Sequence, residues 1–342
     1  MKPVFLSALA AGLLTAASAA SAEDSIATLL RAQLETRDAV WGGGTRSYEQ
    51  AEWRWQAGLP LQNALRGVFT ARHASDENSR LHVNELSLER PLGAGFLSAG
   101  KKVVSWDVGY AFRPLDVVQQ EDRRALNPAT LEGVPMLEWE MFDASRAVTV
   151  VLSNPGRGRA DQPRGDGSLA LRLYRQQGTR DEYAVLRLSE RNGIEGGVSF
   201  SHVVNEGLEV HGSVLFQQRH EQWMAPRALA PYWRRFDGGG KALAGINWTG
   251  ESKFSVLGEA WLDRTAPDSQ QGNVLLRAAQ NMDELDVSAD VLWQPQNGSR
   301  IASVGVSWKP GPWLVSLSWR HYGGSAGTVL HSTGIATLQY AY

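Results

Sequence analysis

Charged side chains recur at every second position in many segments of this 342-residue chain, where they alternate with apolar residues. Guanidinium and carboxylate groups in one row can pair with each other, or they can bind the charged ends of polar solutes. The two signs are nearly balanced, which argues against strong selectivity for simple anions or cations. The row is therefore either a wall held by ion pairs or a series of positions for a polar or zwitterionic solute. Its expected members are Arg31, Glu35, Glu52, Arg54, Arg66, Arg72, Glu138, Glu140, Arg172, Arg187, Glu209, Arg219, Glu259, Arg277, Asp286 and Asp290.

A second concentration of charge lies in residues 107–133. Connections of this length in a compact fold are usually functional, and Gly109 and Pro114 favour turns within it. The segment can fold inward and narrow an enclosed space, or its aromatic residues can anchor a loop at a surface. Its candidate residues are Trp106, Asp107, Tyr110, Phe112, Arg113, Asp116, Asp122, Arg123 and Arg124.

The histidines form no recognisable catalytic motif. Acid–base or nucleophilic catalysis needs a histidine held by a carboxylate beside a nucleophile or a water. The sequence has no phosphate loop and no nucleophile elbow, and the absence of cysteine excludes thiolate metal sites. We therefore expect neither an enzyme nor a metal or other cofactor. The scattered histidines are His73, His82, His202, His211, His220, His321 and His331.

Apolar and polar residues alternate with period two through most of the chain, which predicts β-strands. Ala51, Trp53 and Trp55, for example, are separated by charged residues. No helical stripe of comparable length follows the N-terminal segment. The pattern predicts eighteen strands, with sixteen as the alternative. Their ranges are 25–37, 48–58, 62–73, 80–90, 95–106, 134–143, 146–153, 167–176, 182–190, 193–203, 207–219, 241–249, 252–263, 273–281, 284–294, 300–308, 313–321 and 331–342.

Such strands fit either a soluble sandwich or a membrane barrel, in which apolar side chains face lipid and polar side chains face the lumen. Charges along the whole length of the polar faces favour the barrel. Aromatic residues concentrate near strand ends, as in interfacial belts: Trp248, Trp261, Trp293, Trp308, Trp313, Trp319, Tyr340 and Tyr342. The long connections also share one side of the barrel, opposite tight turns: residues 38–47, 107–133, 154–166, 220–240, 264–272 and 322–330.

The first residues have the composition of a secretory leader. Lys2 precedes an uncharged apolar stretch, and Ala20-Ser21-Ala22 provides small residues for cleavage after Ala22. Loss of Lys2 changes the formal charge from -2 to -3, since 33 of the 34 basic residues then face 36 acidic ones. That balance gives no reason to expect nucleic acid. The mean hydropathy of -0.29 excludes a bundle of membrane helices, but alternating strands also give a mildly polar average.

Two sequence themes are similar to those of known membrane barrels. The alternation in residues 336–342 resembles the C-terminal strand by which bacterial outer-membrane barrels are recognised for assembly. The theme W-x-x-G-Y-x-F-x-P-x-D at residues 106–116, followed by G-V-P at 133–135, resembles a porin-like family of Gram-negative outer-membrane barrels. That family is of unknown function and is grouped with alginate-export-type channels. The resemblance implies an outer-membrane channel for export or uptake.

These observations predict an all-β protein with a leader at residues 1–22 and one transmembrane antiparallel up-and-down β-barrel at residues 23–342. A long outer loop would fold into its lumen. The expected function is a porin-like channel of the Gram-negative outer membrane, which passes a polar or charged solute through a charged lumen narrowed by residues 107–133. One alternative is a dedicated export component working with a periplasmic or inner-membrane transporter, and another is a structural or adhesive barrel. The expected partners are outer-membrane lipid, a small-molecule or polymer solute and, for export, that transporter.

Overall fold

The structure, a computed structural model, describes residues 25–121, 130–154, 166–224 and 232–342. The expected leader lies outside these ranges, so cleavage after Ala22 stays a prediction. In the described ranges, no helix is long and apolar enough to cross a bilayer.

Twenty strands account for most of the described residues. Eighteen of them form one sheet, and β12 and β13 form a separate hairpin. The prediction of eighteen barrel strands is confirmed, since each barrel strand overlaps one predicted range; the alternative of sixteen is wrong. The strands are β1 (Ser25–Ala39), β2 (Gly44–Leu59), β3 (Asn63–Ala74), β4 (Glu77–Leu92), β5 (Gly95–Lys102), β6 (Val134–Phe142), β7 (Arg146–Ser153), β8 (Ser168–Gln177), β9 (Arg180–Ser189), β10 (Gly193–Asn205), β11 (Leu208–Gln217), β12 (Arg219–Met224), β13 (Tyr232–Asp237), β14 (Gly240–Thr249), β15 (Phe254–Asp263), β16 (Gly272–Met282), β17 (Leu285–Gln294), β18 (Ser299–Trp308), β19 (Trp313–Gly323) and β20 (Leu330–Ala341).

The sheet is closed. Every barrel strand pairs antiparallel with its neighbours along the chain, and β1 pairs with β20 to complete the ring. At this seam the amide of Thr28 donates to the carbonyl of Tyr342 (2.7 Å), and the amide of Tyr342 donates back (2.8 Å). A closed ring leaves no strand edge whose backbone groups would lack partners in hydrocarbon.

The two ends of the barrel differ in their connections. At one end all eight turns are tight, whereas the other end carries the long connections, including residues 103–133 and 154–167. Several predicted boundaries were wrong, and two of them lie at this end. The connection expected at residues 38–47 is reduced to 40–43, because β1 and β2 pair further toward their ends. The strand predicted at 95–106 ends at Lys102, where the chain leaves the wall.

The connection between β11 and β14 contains the hairpin β12–β13, which the sequence pattern did not indicate. The register of β11 with β14 continues unchanged into the pair Arg219↔Asp237, so the hairpin extends the same ribbon beyond the barrel. The guanidinium of Arg219 donates to the carbonyls of Glu190 (2.8 Å) and Arg191 (2.9 Å) at the outer rim. The strand predicted at 207–219 was therefore too long. Arg219 was expected on a barrel strand, but it lies on the hairpin.

The two faces of the barrel have the polarity expected in a membrane. Large apolar side chains on the exterior face are exposed, for example Leu34 (47%), Val198 (54%) and Leu317 (57%). Charged side chains on the interior face are buried, for example Glu52 (3%) and Glu138 (4%). This is the inverse of a soluble sandwich, in which the apolar face is the core.

Of the eight aromatic residues expected at strand ends, six are exposed, Tyr340 is half-buried and Trp261 is buried. Trp261 is 6% exposed, because it points into the barrel and stacks on Phe112 with ring centroids 5.5 Å apart. The expectation that Trp261 belongs to an interfacial belt was therefore wrong. The exposed aromatic residues among those expected are Trp248, Trp293, Trp308, Trp313, Trp319 and Tyr342.

Closure predicts heat-modifiable migration in gel electrophoresis. A ring of backbone hydrogen bonds with no free edge should resist detergent until it is heated. The unheated protein is therefore expected to migrate as a compact band, and the boiled protein as a slower, unfolded band. Identical migration before and after boiling would contradict a closed barrel.

Candidate functional site

The interior face of the barrel carries rows of charged residues. Strand register places the expected residues, apart from Arg219, on this one face, because directly paired residues of neighbouring strands share a face. Arg31, for instance, is opposite Gln50, which is opposite Arg72. The residues on this face are Arg31, Glu35, Glu52, Arg54, Arg66, Arg72, Glu138, Glu140, Arg172, Arg187, Glu209, Glu259, Arg277, Asp286 and Asp290. Their position is observed, and their contact with a solute stays a prediction.

Many of these charges have partners on the wall itself. Arg54 Nε donates to Glu52 Oε1 (2.7 Å), and Arg31 Nη2 donates to Gln339 Oε1 (2.9 Å). Arg187, only 3% exposed, pairs with both Asp166 and Glu195. Around these residues the charged side chains form a structural network on the interior face. This corresponds to the interpretation of the row as a wall held by ion pairs.

We call the connection from β5 to β6, residues 103–133, the inward segment, because its described parts, 103–121 and 130–133, lie inside the barrel. Trp106 (5% exposed) and Leu115 (0%) pack in one buried cluster with the interior-facing Val151 and Leu215. Further along, Phe112 packs in a second buried cluster around Trp261, formed by β14 to β17. The segment therefore contacts a large part of the wall. Its candidate residues Asp122, Arg123 and Arg124 lie outside the described residues.

Glu259 on β15 is the main polar contact between the wall and the inward segment. Its side chain is fully buried, and its two oxygens accept the backbone amides of Tyr110 (2.6 Å) and Ala111 (2.8 Å). The imidazole Nε2 of the buried His211 lies 3.0 Å from the same carboxylate. The hydroxyl of Tyr110 donates to Glu209 Oε2 (3.0 Å). These contacts hold one turn of the segment against the wall.

Gly109 makes the approach of this turn to the wall possible. A Cβ at this position would overlap the carbonyl oxygen of Phe112 and the side chain of Leu243. On the wall, Gly245 has a similar role, because a Cβ there would overlap the ring of His211. Both glycines therefore leave room that any other side chain would fill.

Two aspartates fix the internal shape of the inward segment. Asp116 Oδ1 accepts the backbone amides of Trp106 (2.5 Å) and Asp107 (3.1 Å). Asp107 Oδ2 accepts the amide of Leu115 (2.8 Å) and the hydroxyl of Ser213 (3.1 Å) on β11. Burial raises the pKa of both carboxyl groups above the ordinary range, because desolvation disfavours the charged form, although their hydrogen bonds oppose the shift.

Asp116→Ala is expected to loosen the inward segment without opening the barrel. The change leaves the buried amides of Trp106 and Asp107 without an acceptor, at a cost of roughly 2–3 kcal/mol. Hydrogen exchange should accelerate at those two amides, while the barrel strands exchange as in the wild type. Asp38→Ala, at an exposed position on β1, is the control. Unchanged exchange at both amides would contradict the assigned role of Asp116.

The C-terminal part of the inward segment is bound to the opposite wall. The hydroxyl of Thr130 donates to Glu52 Oε2 (2.5 Å) and accepts from Gln50 Nε2 (3.0 Å) on β2. Asn84 Nδ2 on β4 donates to the carbonyls of Thr130 and Leu131, both at 3.2 Å. The segment is thus attached to the wall on two sides of the barrel.

A cavity of about 660 Å³ lies between the inward segment and the wall. Tyr110 and Glu121 line it from the segment, and Arg277, Asp290 and Arg320 line it from β16, β17 and β19. Its volume is in the range of small-molecule sites.

His211, Ser213 and Glu195 also belong to this arrangement, and all three are buried on the interior face. The alternation on β10 and β11 predicts that face, because each of the three is directly next to an apolar residue of the exterior face. Nothing local in the sequence indicates which of them meets the inward segment.

Many solved structures share this fold, and three of them illustrate the likeness. Pseudomonas aeruginosa OccK11 (OpdR) has a TM-score of 0.66 at 9% identity, over 93% of this chain and 95% of that chain. Acinetobacter baumannii OccAB3 has a TM-score of 0.65 at 10% identity, over 94% and 100%. A variant of the Rh. blastica porin has a TM-score of 0.52 at 9% identity, over 93% and 100%. No protein-family model and no curated protein sequence matches the chain. The likeness concerns the fold alone, and the architecture is that of a porin-like transmembrane barrel, the form found in the Gram-negative outer membrane.

Proposed function

We propose that this protein is an outer-membrane channel, which passes a polar or charged solute through a charged lumen narrowed by the inward segment. The exterior is apolar and the ring has no free edge, as spanning a bilayer requires. The similarity in fold to the Rh. blastica porin supports the passage of solutes.

The attachment of the inward segment carries this proposal. The segment is bound through Glu259 on one side and through Glu52 on the other, and a polar cavity remains beside it. A barrel of this strand number is wide enough for an aqueous channel. A fixed segment within such a lumen reduces its width and presents chosen side chains to a passing solute.

Reconstitution into a planar lipid bilayer tests the channel. The purified protein is expected to give discrete conductance steps in a simple salt. Under a salt gradient the reversal potential should stay close to zero, because arginines and carboxylates are nearly balanced on the interior face. The absence of conductance steps at every applied voltage would contradict an open channel.

A second candidate is a dedicated export component that works with a periplasmic or inner-membrane transporter. The theme at residues 106–116 favours it through its resemblance to the porin-like family grouped with alginate-export-type channels, and that grouping stays a prediction. Such a component can be closed alone, so negligible conductance of the purified barrel would favour it. If the lumen then also excluded water-soluble probes from both sides, a structural or adhesive barrel would be favoured.

A further inference from the structure

We propose that the cavity beside Tyr110 is a binding site for small zwitterions, solutes with one carboxylate and one ammonium group. The proposal deepens the channel function and rests on it, because the site lies within the lumen. It is argued from the charges that line the cavity, from the register of those on the wall, and from the contacts that Arg277, Asp290 and Arg320 leave unused.

Among the described residues that line the cavity, the ionisable side chains sum to no net charge at neutral pH, tyrosine being neutral there. Arg277 and Arg320 contribute two positive charges, and Glu121 and Asp290 contribute two negative charges. A simple anion or cation therefore gains little from the overall field of the cavity. A solute with one charge of each sign gains from both kinds of side chain at once.

Strand register places the charges of the wall in one row. Arg277 is directly opposite Asp290, Asp290 is opposite Ser303, and Ser303 is opposite Arg320. Neighbouring strands are about 4.8 Å apart, so the signs alternate along β16 to β19 on the scale of a small molecule. A carboxylate between Arg277 and Arg320 would leave the attached ammonium group near Asp290.

These side chains are available to a ligand. Within the described part of the chain, neither Arg277 nor Asp290 makes a hydrogen bond or an ion pair, although the two are directly opposite each other on β16 and β17. Arg320 uses its Nε on Ser303 Oγ (2.9 Å), which orients the guanidinium and leaves its two Nη groups for a carboxylate. By contrast, Arg54 and Arg187 on the same face are already paired with carboxylates.

The remaining lining fits a polar ligand of modest size. The cavity of about 660 Å³ is lined by Asn247, Ser288 and Ser318 besides the charges, and by the aromatic Tyr110. Hydroxyl and amide groups can bind a peptide group without adding net charge. A short dipeptide is therefore a suitable probe of the site.

The binding test uses the full barrel in a planar bilayer and three related solutes. Glycylglycine carries both charges, N-acetylglycine lacks the ammonium group, and glycinamide lacks the carboxylate. Glycylglycine is expected to reduce the ion current with an apparent affinity roughly tenfold higher than either analogue, because it engages both signs. Equal affinity of glycylglycine and N-acetylglycine would overturn the proposal in favour of a plain anion site.

Two substitutions test which side chain binds the ammonium group of the ligand and which binds its carboxylate. Asp290→Asn should abolish the preference for glycylglycine over N-acetylglycine, because the ammonium group loses its partner and the described lining gains a net positive charge. Arg277→Gln should weaken the binding of both solutes. Asp283→Asn, in the exposed turn that joins the same two strands, is the matched control and should change neither. An Asp290→Asn protein that binds glycylglycine as the wild type does would refute the role of Asp290.

A failure of the channel function can be told apart from a failure of the site. Calorimetric titration of the detergent-solubilised barrel with the same solutes measures binding without ion flow. A non-conducting barrel that prefers glycylglycine would keep the site and overturn the open channel. A conducting barrel with no preference among the solutes would keep the open channel and overturn the binding site.

Discussion

Replacing residues 107–133 by a short turn is expected to raise the single-channel conductance roughly two- to fourfold, because an eighteen-stranded barrel without an inner obstruction encloses an open channel. A short linker can join the two strands, since Lys102 and Val134 are directly paired on β5 and β6 and residues 103–106 remain to bridge them. The wall should survive the change, because its ladder of backbone hydrogen bonds does not include the segment. Heat-modifiable migration of the shortened protein would confirm that the barrel still closes.

The hairpin β12–β13 offers a matched control for this deletion. It also belongs to a long outer connection, but it extends the β11–β14 ribbon beyond the barrel instead of crossing the interior. Its replacement by a turn should leave the conductance within the spread of the wild type. If deletion of residues 107–133 changed the conductance no more than this control, the segment would not be a constriction.

Glu259→Ala is expected to release the inward segment at its central contact. The buried amides of Tyr110 and Ala111 would lose their acceptor, and His211 would lose its carboxylate. Unsatisfied buried groups of this kind should weaken the docking of the segment by roughly 2–4 kcal/mol. The open-channel current should become larger and noisier, as the segment samples undocked positions on the time scale of the recording.

Two further variants make the result specific. Glu259→Gln keeps one carbonyl oxygen as an acceptor, so its current should lie between those of the wild type and Glu259→Ala. Glu89→Ala removes an interior carboxylate on β4 whose partner is Ser98 of the wall, and it should behave as the wild type. A quiet, wild-type current in Glu259→Ala would show that the segment is held by its apolar clusters alone.

The strands could be predicted from the sequence because their signal is local. Lipid on one side and a polar interior on the other impose an alternation of period two within each strand. The alternation predicts the wrong strand end where it continues beyond the part of the strand that faces lipid. The strand predicted at 207–219 ran past Gln217, because the ribbon itself continues into β12 with the same register. The strand predicted at 95–106 was also too long, since the apolar residues Val104 and Trp106 continue the alternation but pack inside the barrel, after the strand has ended at Lys102.

The inward segment could be identified from its length and charge, whereas its binding partners could not. Glu259 is separated by 149 positions from Tyr110, and Ser213 by 106 positions from Asp107. Such pairs depend on where the segment crosses the ring, which no local pattern encodes. Trp261 is an example: a tryptophan near a strand end fits an interfacial belt, yet this one shares the interior face with Glu259 and stacks on Phe112.

The seam between β1 and β20 has a consequence for how the molecule forms. Arg31 and Gln339, which bond across it, are 308 positions apart in the chain. Contacts of such long range are slow to form, because the loop entropy is lost before the contact stabilises anything. A partly assembled sheet would present two unpaired edges, which hydrocarbon does not tolerate. Insertion and ring closure should therefore be one cooperative event. The first and the last strand should pair in the final step of that event.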